Sequence, residues 1–401
     1  MDTTTAGTGG EQREHGRAPL AGIRVLELAT YLSGPFATMM LADLGADVVK
    51  VEPPRGDPFR RFGRPETYVS SLFANCNRAK RSVVLDLKAP DSVAHLLALA
   101  GGSDILICNW RPEVADRLGI GDEALVGAND QLIRIYISGY GPTGPLSDAP
   151  AFDGVLQALS GMTEALSVSD QPTMLPGYPV DKLTAVMAVQ AALAALITRA
   201  RDGHGDRVDL PMLDTAAYLN FVDLVTGRTF VDHQPTEARN RQSSAVRPIA
   251  AGEGWLLVAP ASADQVRRAC QAVDHPEWSA ELLAMADSVA MVTALCDRLE
   301  TATRRAPLEH WLDRFRGHDV PVARCLGIDE HLVDVQVAHN QIYSVAEWPG
   351  VGAVRTVRYP ARFASCGPLP TGAPTPRLGA DTEAVLAGLD PPPGVAGRVT
   401  D

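Results

Sequence analysis

IRVLELATYLSGPFATMMLADLGADVVKVE, residues 23–52, is the stretch from which the fold reads. Ile23–Ala29 is an apolar, β-rich run and predicts a buried strand. Gly34–Leu44 predicts a helix, with Pro35 just inside its start, where the missing N–H is not needed. Asp47–Glu52 predicts a second strand. Farther on, Ser82–Leu87, Asp104–Cys108 and Leu132–Ser138 read as strands and Pro90–Ala100 as a helix. This alternation predicts an α/β fold, a mostly parallel, Rossmann-like sheet covered by helices. Ligands of such sheets bind beyond the carboxyl ends of the strands, here the loops Thr30–Pro35, Pro53–Arg64, Asn109–Pro112 and Gly139–Pro145.

The second half is laid out differently. Asp181–Arg199 is alanine-rich and apolar nearly all round, which predicts a buried helix. Val208–Phe221 predicts another helix. Glu253–Ala259 reads as a strand, followed by helices over Ser262–Val273, Ser288–Thr301 and Pro307–Arg316, and Asp381–Ala387 as a last short helix. The expected organisation is a disordered tail over 1–18, a large α/β domain over 19–222, a smaller α+β domain over 223–335, and a segment over 336–401 returning to the large domain.

The chain has 401 residues, 46% hydrophobic and 21% charged, the balance of a globular protein with a large core. The start, MDTTTAGTGGEQREHGRAP, lacks an apolar h-region, and no run reads as a membrane span, because charges, Gly or Pro interrupt each one. Six scattered cysteines, without CxxC or CxxH spacing, indicate neither a zinc site nor a disulfide framework. The cytoplasm is the expected compartment.

With 36 Lys+Arg against 48 Asp+Glu the chain is acidic, which argues against a nucleic-acid surface. Yet Lys50, Arg55, Arg60, Arg61, Arg64, Arg78, Lys80, Arg81 and Lys88 face only Glu52, Asp57, Glu66 and Asp86 between Lys50 and Lys88. Such a patch reads either as a pocket for one small anion or as a solvated charged face. GxGxxG, GxxxxGK[ST] and GxSxG are all absent, against dinucleotide, P-loop and serine-hydrolase chemistry. The nine histidines are isolated. Two carboxylates remain, Asp153 in AFDGVLQALSG and Asp181 in PGYPVDKLTAV. Both enter helical segments from Gly/Pro-rich loops, so each reads as a helix cap or as part of an acid/base or nucleophile site.

PLAGIRVLELATYLSGPFATMMLADLGADVVKVEPPRGDPFR, NCNRAKRSVVLDLK, NWRPEVADRLGI and SGYGPTGPLSDAPAFDGVLQALSGMT resemble, in order, the class III CoA-transferases. GYPVDKLTAV, GHGDRVDLPMLDTA, EGWLLVA and LGADTEAVLAGL extend the resemblance over nearly the whole chain. The family includes formyl-CoA transferase, carnitine CoA-transferase and the 2-methylacyl-CoA racemases. The resemblance implies coenzyme A as a substrate, whose phosphates Arg and Lys can clamp, with no tightly bound cofactor and no metal. It implies that Asp181 is the aspartate that becomes acylated. It also implies that Asn109, Trp110 and Arg117 line the CoA site, that Asn77, Arg78, Lys80 and Arg81 form a basic turn near the phosphates, and that Tyr31, Leu32 and Ser33 border the thioester. An interlocked homodimer is implied too.

Three departures shape the expectation. The racemases carry a histidine where this chain has Phe152, and racemisation needs an acid/base group on each face of the α-carbon. RPIAAGEG replaces a glycine run of formyl-CoA transferase, and Asp153 stands where that enzyme has a glutamate, leaving its catalytic part open. The expected function is acyl-CoA:carboxylate CoA transfer through an acyl anhydride and a CoA thioester on Asp181. The alternatives are a racemase-like isomerase, a non-catalytic CoA-ester binding protein, and a scaffold in which these residues are structural.

Overall fold

A computed structural model describes residues 17–62, 67–110, 112–165, 171–234 and 245–389. The expected tail over 1–18 thus lies outside the described residues except for Arg17 and Ala18. The chain divides into two compact units, one running to Tyr218 and resuming at Asn340, the other spanning Leu219–His339.

The first unit is built on six strands: β1 (Arg24–Leu28), β2 (Asp47–Glu52), β3 (Lys80–Val84), β4 (Ile105–Cys108), β5 (Ile133–Ser138) and β6 (Arg207–Pro211). They lie in the order β3-β2-β1-β4-β5-β6, and every adjacent pair is parallel. Alternate side chains divide between two cores. Val25, Val48, Ile105, Ile107, Ile133 and Ile135 pack on one face, against α1 (Ser33–Asp43) and the long helix after Tyr178. Leu26, Leu28, Val49, Val51, Val83 and Leu106 pack on the other, under α3 (Ser92–Gly101). The remaining helices before β6 are α2 (Ser71–Asn77), α4 (Pro112–Arg117), α5 (Asp122–Ala128), α6 (Asp153–Leu159), α7 (Met162–Ala165) and α8 (Pro179–Asp202), and α9 (Met212–Asn220) follows it.

Three details correct the sequence reading. The third strand begins at Lys80, two residues before the expected start, so Lys80 and Arg81 lie on β3 and not in a turn before it. The expected helix over Val208–Phe221 begins as edge strand β6 and becomes helical only at Met212. Helix α8 is long and apolar enough, by length and composition alone, to cross a membrane, because its charges sit at its two ends. It packs on the sheet through Val180, Ala185, Ala188, Val189, Ala192 and Ala195, while Val186 and Ile197 stay exposed, so it is not buried all round.

The second unit holds the antiparallel strands β7 (Ile249–Ala251), β8 (Gly254–Val258) and β9 (Val322–Arg324). Around its own core lie α10 (Ala263–Ala272), α11 (Trp278–Leu283), α12 (Ser288–Thr303) and α13 (Leu308–Gly317). The returning segment adds an antiparallel hairpin over Tyr343–Trp348 and Gly352–Val357 to the first unit. Its last helix, Thr382–Ala387, docks beside β3, where Asp381 accepts from the Ser82 N–H at 2.8 Å.

Candidate active site

Strand order reverses direction between β1 and β4, the point where a doubly wound sheet leaves a crevice beyond its carboxyl ends. The loop after β1 and the loop after β4 are tied together there. Thr30 N–H donates to Asn109 Oδ1 at 3.0 Å, and Asn109 Nδ2 donates back to Thr30 O at 2.8 Å. A cleft of about 220 Å³ opens above this pair, lined by Tyr31, Ser33, Trp110, Phe152 and Asp181 and floored by Ile137 and Met212.

Two helix N-termini meet in this cleft. Asp181 stands in the first turn of α8, behind Pro179, and Ser33 is the first residue of α1. Gly34 lets α1 start so close to the sheet, since a Cβ there would come within 2.3 Å of Ala29 Cβ. Ser33, through its hydroxyl and its backbone N–H, favours the charged form of the Asp181 carboxylate. The N-terminal ends of two helices favour an anion at this spot. Burial, and after it the neighbouring Asp153 carboxylate, still outweigh the Ser33 bonds and lift the Asp181 pKa to about 6.

Asp153 belongs to this arrangement without facing the cleft. It is buried, and its Oδ2 accepts from Val180 N at 2.8 Å and Asp181 N at 3.1 Å, so it caps α8 from the first turn of α6. Its Oδ1 accepts from Gln157 Nε2 at 2.6 Å, and Gln157 Oε1 in turn accepts from Leu175 N at 2.9 Å. With both oxygens engaged, Asp153 positions the first turn of α8. Phe152, just before it, points its ring at Tyr31, with centroids 5.7 Å apart and nearly perpendicular planes.

Tyr31 has φ = 65°, a left-handed conformation that costs a non-glycine residue ~1 kcal/mol. Its N–H donates to Asp57 Oδ1 at 3.2 Å, and Asp57 Oδ2 lies 2.9 Å from Lys50 Nζ. Lys50 is fully buried and also bonds Glu27 Oε1 and Ala29 O, each at 2.7 Å. The turn that presents Ser33 to Asp181 is therefore braced from beneath by an ion network.

That network absorbs most of the basic patch. Lys80 Nζ bonds Glu27 Oε2, Pro35 O and Asn77 Oδ1, each at 2.8 Å. Arg60 makes a two-pronged pair with Glu52 at 2.7 and 2.6 Å, and Arg78 pairs with Asp43 at 2.5 Å. Lys50, Arg60, Asn77, Arg78 and Lys80 are all buried. Burial would raise the Glu27 pKa, but the two ammonium groups hold it below its usual value. Burial, and the repulsion of Lys50, bring Lys80 down to about 8. The patch is thus neither a solvated face nor a free cationic pocket at these positions. Of the acids that pair with it, Glu52 and Asp57 lie inside the Lys50–Lys88 window, and Glu27 and Asp43 lie outside it.

Of the residues singled out from sequence, Tyr31, Ser33, Asn109, Trp110 and Asp181 come together in the cleft. Leu32 is buried against Phe59 and Phe73. Arg81 pairs with Asp47 on the surface, and Arg117 is exposed at the end of α4. Sequence reading passed over Gln157, Ser138, Ser147 and Met212, and counted Asp57 only as an acid within the basic patch. Asp57 gave one legible signal, preceding Pro58 and capping the 3₁₀ turn Pro58–Arg61.

The profile of CoA-transferase family III matches residues 20–382. A succinate–glutarate CoA-transferase of Agrobacterium fabrum is 31% identical, over 93% of this chain and 96% of that protein. An acetyl-CoA:oxalate CoA-transferase of Acetobacter aceti is 34% identical, over 78% of this chain and 82% of its own length. Among solved structures, a CAIB/BAIF family protein from Brucella suis superposes with a TM-score of 0.81 at 26% identity, covering 94% of this chain and all of that one.

Proposed function

This chain belongs to CoA-transferase family III, and from that premise we propose that it moves CoA between carboxylic acids through covalent intermediates on Asp181. The carrying observation is an ionisable carboxylate set between two helix N-termini in a half-dry cleft, with a pKa of about 6. At neutral pH such a carboxylate is mostly charged yet poorly solvated, the state in which it is most nucleophilic.

An Asp181 oxygen attacks the thioester carbonyl, and CoA leaves as the thiolate, giving a mixed acyl-aspartyl anhydride. The thiolate attacks the aspartyl carbonyl, which releases the donor acid and leaves an aspartyl-CoA thioester. The acceptor carboxylate attacks that thioester and expels CoA thiolate once more. The thiolate then takes the acceptor's acyl group and frees Asp181. Each step exchanges one activated acyl bond for another. In this reading the Ser33 N–H, at the start of α1, turns to oxyanions forming beside Asp181. The names of the relatives support an acyl-CoA and a carboxylate as the two substrates.

Incubation with an acyl-CoA followed by hydroxylamine should leave a hydroxamate on Asp181, read by peptide mass spectrometry. Transfer without any trapped adduct would sink the covalent route. A homodimer and a cytoplasmic setting belong to the same reading. Exposed Phe221, Val222, Phe230 and Val231 offer apolar surface to a second chain, and the free thiols suit a reducing compartment. Light scattering on the purified chain tests the first.

A further inference from the structure

The cleft carries information on the acyl group, given the transferase reading on which this step rests. Its outer wall is aromatic. Tyr31 stands edge-on to Phe152 and to Phe59, at 5.7 and 5.5 Å, and Phe59 contacts Phe62 at 5.3 Å. Two of these rings line the cleft and are open to solvent, Phe152 61% and Tyr31 37% exposed. Rings left this open beside a nucleophile have apolar area to cover when a ligand enters. The floor, Ile137 and Met212, is apolar as well.

Three polar side chains of the cleft are engaged with the backbone of the surrounding loops. Asn109 is held by Thr30, Ser138 Oγ accepts from Gly141 N, and Ser147 Oγ donates to Gly144 O. Among the described residues lining it, the one charged group is the anion Asp181. A second carboxylate on the acyl chain would be dried beside a like charge with no cation to meet it, which is unfavourable on both counts. A cleft of about 220 Å³ is larger than the ~150 Å³ apolar cavity that admits benzene, enough for a single ring or a medium alkyl chain.

We infer that this enzyme's acyl group is an uncharged, apolar monocarboxylate, a medium alkanoyl or arylalkanoyl chain packed on Phe152 and Tyr31, rather than a dicarboxylate.

Two measurements test this. Calorimetry with non-reactive thioether analogues of hexanoyl-CoA and succinyl-CoA reads preference without turnover, and kcat/KM with the two thioesters and one common acceptor reads it in catalysis. The hexanoyl form should be favoured by at least ~10-fold in both, the scale on which apolar pockets discriminate. Phe152→Ala should remove most of that advantage, and Phe152→Arg should shift the preference toward succinyl-CoA. Equal or better handling of the succinyl form by the wild type would overturn the inference, as would a Phe152→Ala effect equal on both ligands. Failure of the transferase reading looks different: no donor turns over, whichever analogue binds better.

Discussion

Asp153 caps the helix that carries Asp181: one aspartate's Oδ2 receives the other's backbone N–H at 3.1 Å, while its charge raises the other's pKa. The two carboxylates therefore do different work in one site. Asp181 is the group open to substrate, and Asp153 fixes where Asp181 points and at what pH it ionises.

The first consequence is a pH dependence with a definite sign. With a pKa of about 6, Asp181 is protonated and idle in acid, so kcat/KM should rise with pH through about 6 and then level. Stability should run the other way. The folded pKa lies above the ordinary aspartate value of 3.8, so the folded state loses stability as pH rises from about 4 through 6. Asp181→Asn should abolish transfer, and at pH 8 it should be more stable than wild type, by at most ~3 kcal/mol before solvent screening is discounted. Equal melting temperatures at pH 8 would refute the strained-carboxylate account.

Asp153→Asn retains an oxygen for the α8 N–H groups and removes the neighbouring charge. The acid limb of the kcat/KM profile should then move to lower pH, because the second cause of the raised Asp181 pKa is gone. The stability loss should stay within that of a weakened cap, ~0.5–2 kcal/mol. A limb that does not move would show that the Asp153 charge is not felt at Asp181.

The resemblance put Lys80 and Arg117 together as CoA contacts, and the structure separates them. Lys80→Ala leaves Glu27 fully buried with one ammonium partner instead of two, and should cost ~3–5 kcal/mol of stability. Arg117→Ala, on an exposed helix end, should leave melting within ~0.5 kcal/mol. If the guanidinium reaches a CoA phosphate, its loss should weaken CoA binding by ~1–3 kcal/mol. Thermal melts and CoA titrations on the same samples separate these outcomes, and a Lys80→Ala protein that melts like wild type would contradict the network's structural weight.

Phe152 sets the last prediction. Its ring lines the cleft with Asp181 and has no proton to give, so one carboxylate can exchange the α-proton from a single face. Chiral analysis of a (2R)-2-methylacyl-CoA after long incubation should find no 2S epimer. Its appearance would promote the isomerase reading.

Much of the frame was legible because parallel strands buried on both faces leave continuous apolar runs such as ILIC at β4. β6 was missed because it is an edge strand paired on one side, and its RVDLP pattern reads as half-polar. The cleft residues were legible through motif resemblance, and their division of labour was not. Asp153 and Asp181 meet across 28 positions, Glu27 and Lys80 across 53. A window of sequence counts charges but does not say which acid a buried lysine will meet. The patch looked under-paired because two of its partners, Glu27 and Asp43, sit on β1 and α1, ahead of the window.

Glu27 and Lys50 are also direct neighbours in the β1–β2 ladder, and Lys50 stands opposite Ser82 in β2–β3. Apolar strands such as VLEL and VVKV could slide past one another with little loss of oily contact, and no tight hairpin fixes a parallel pair. A slip of one residue would set the Lys50 ammonium against Leu26 or Leu28, a buried charge without a counterion. The charges beneath the cleft thus act as a register check during folding: only the alignment that closes every pair can bury them, and that same alignment brings Tyr31 and Ser33 to their places.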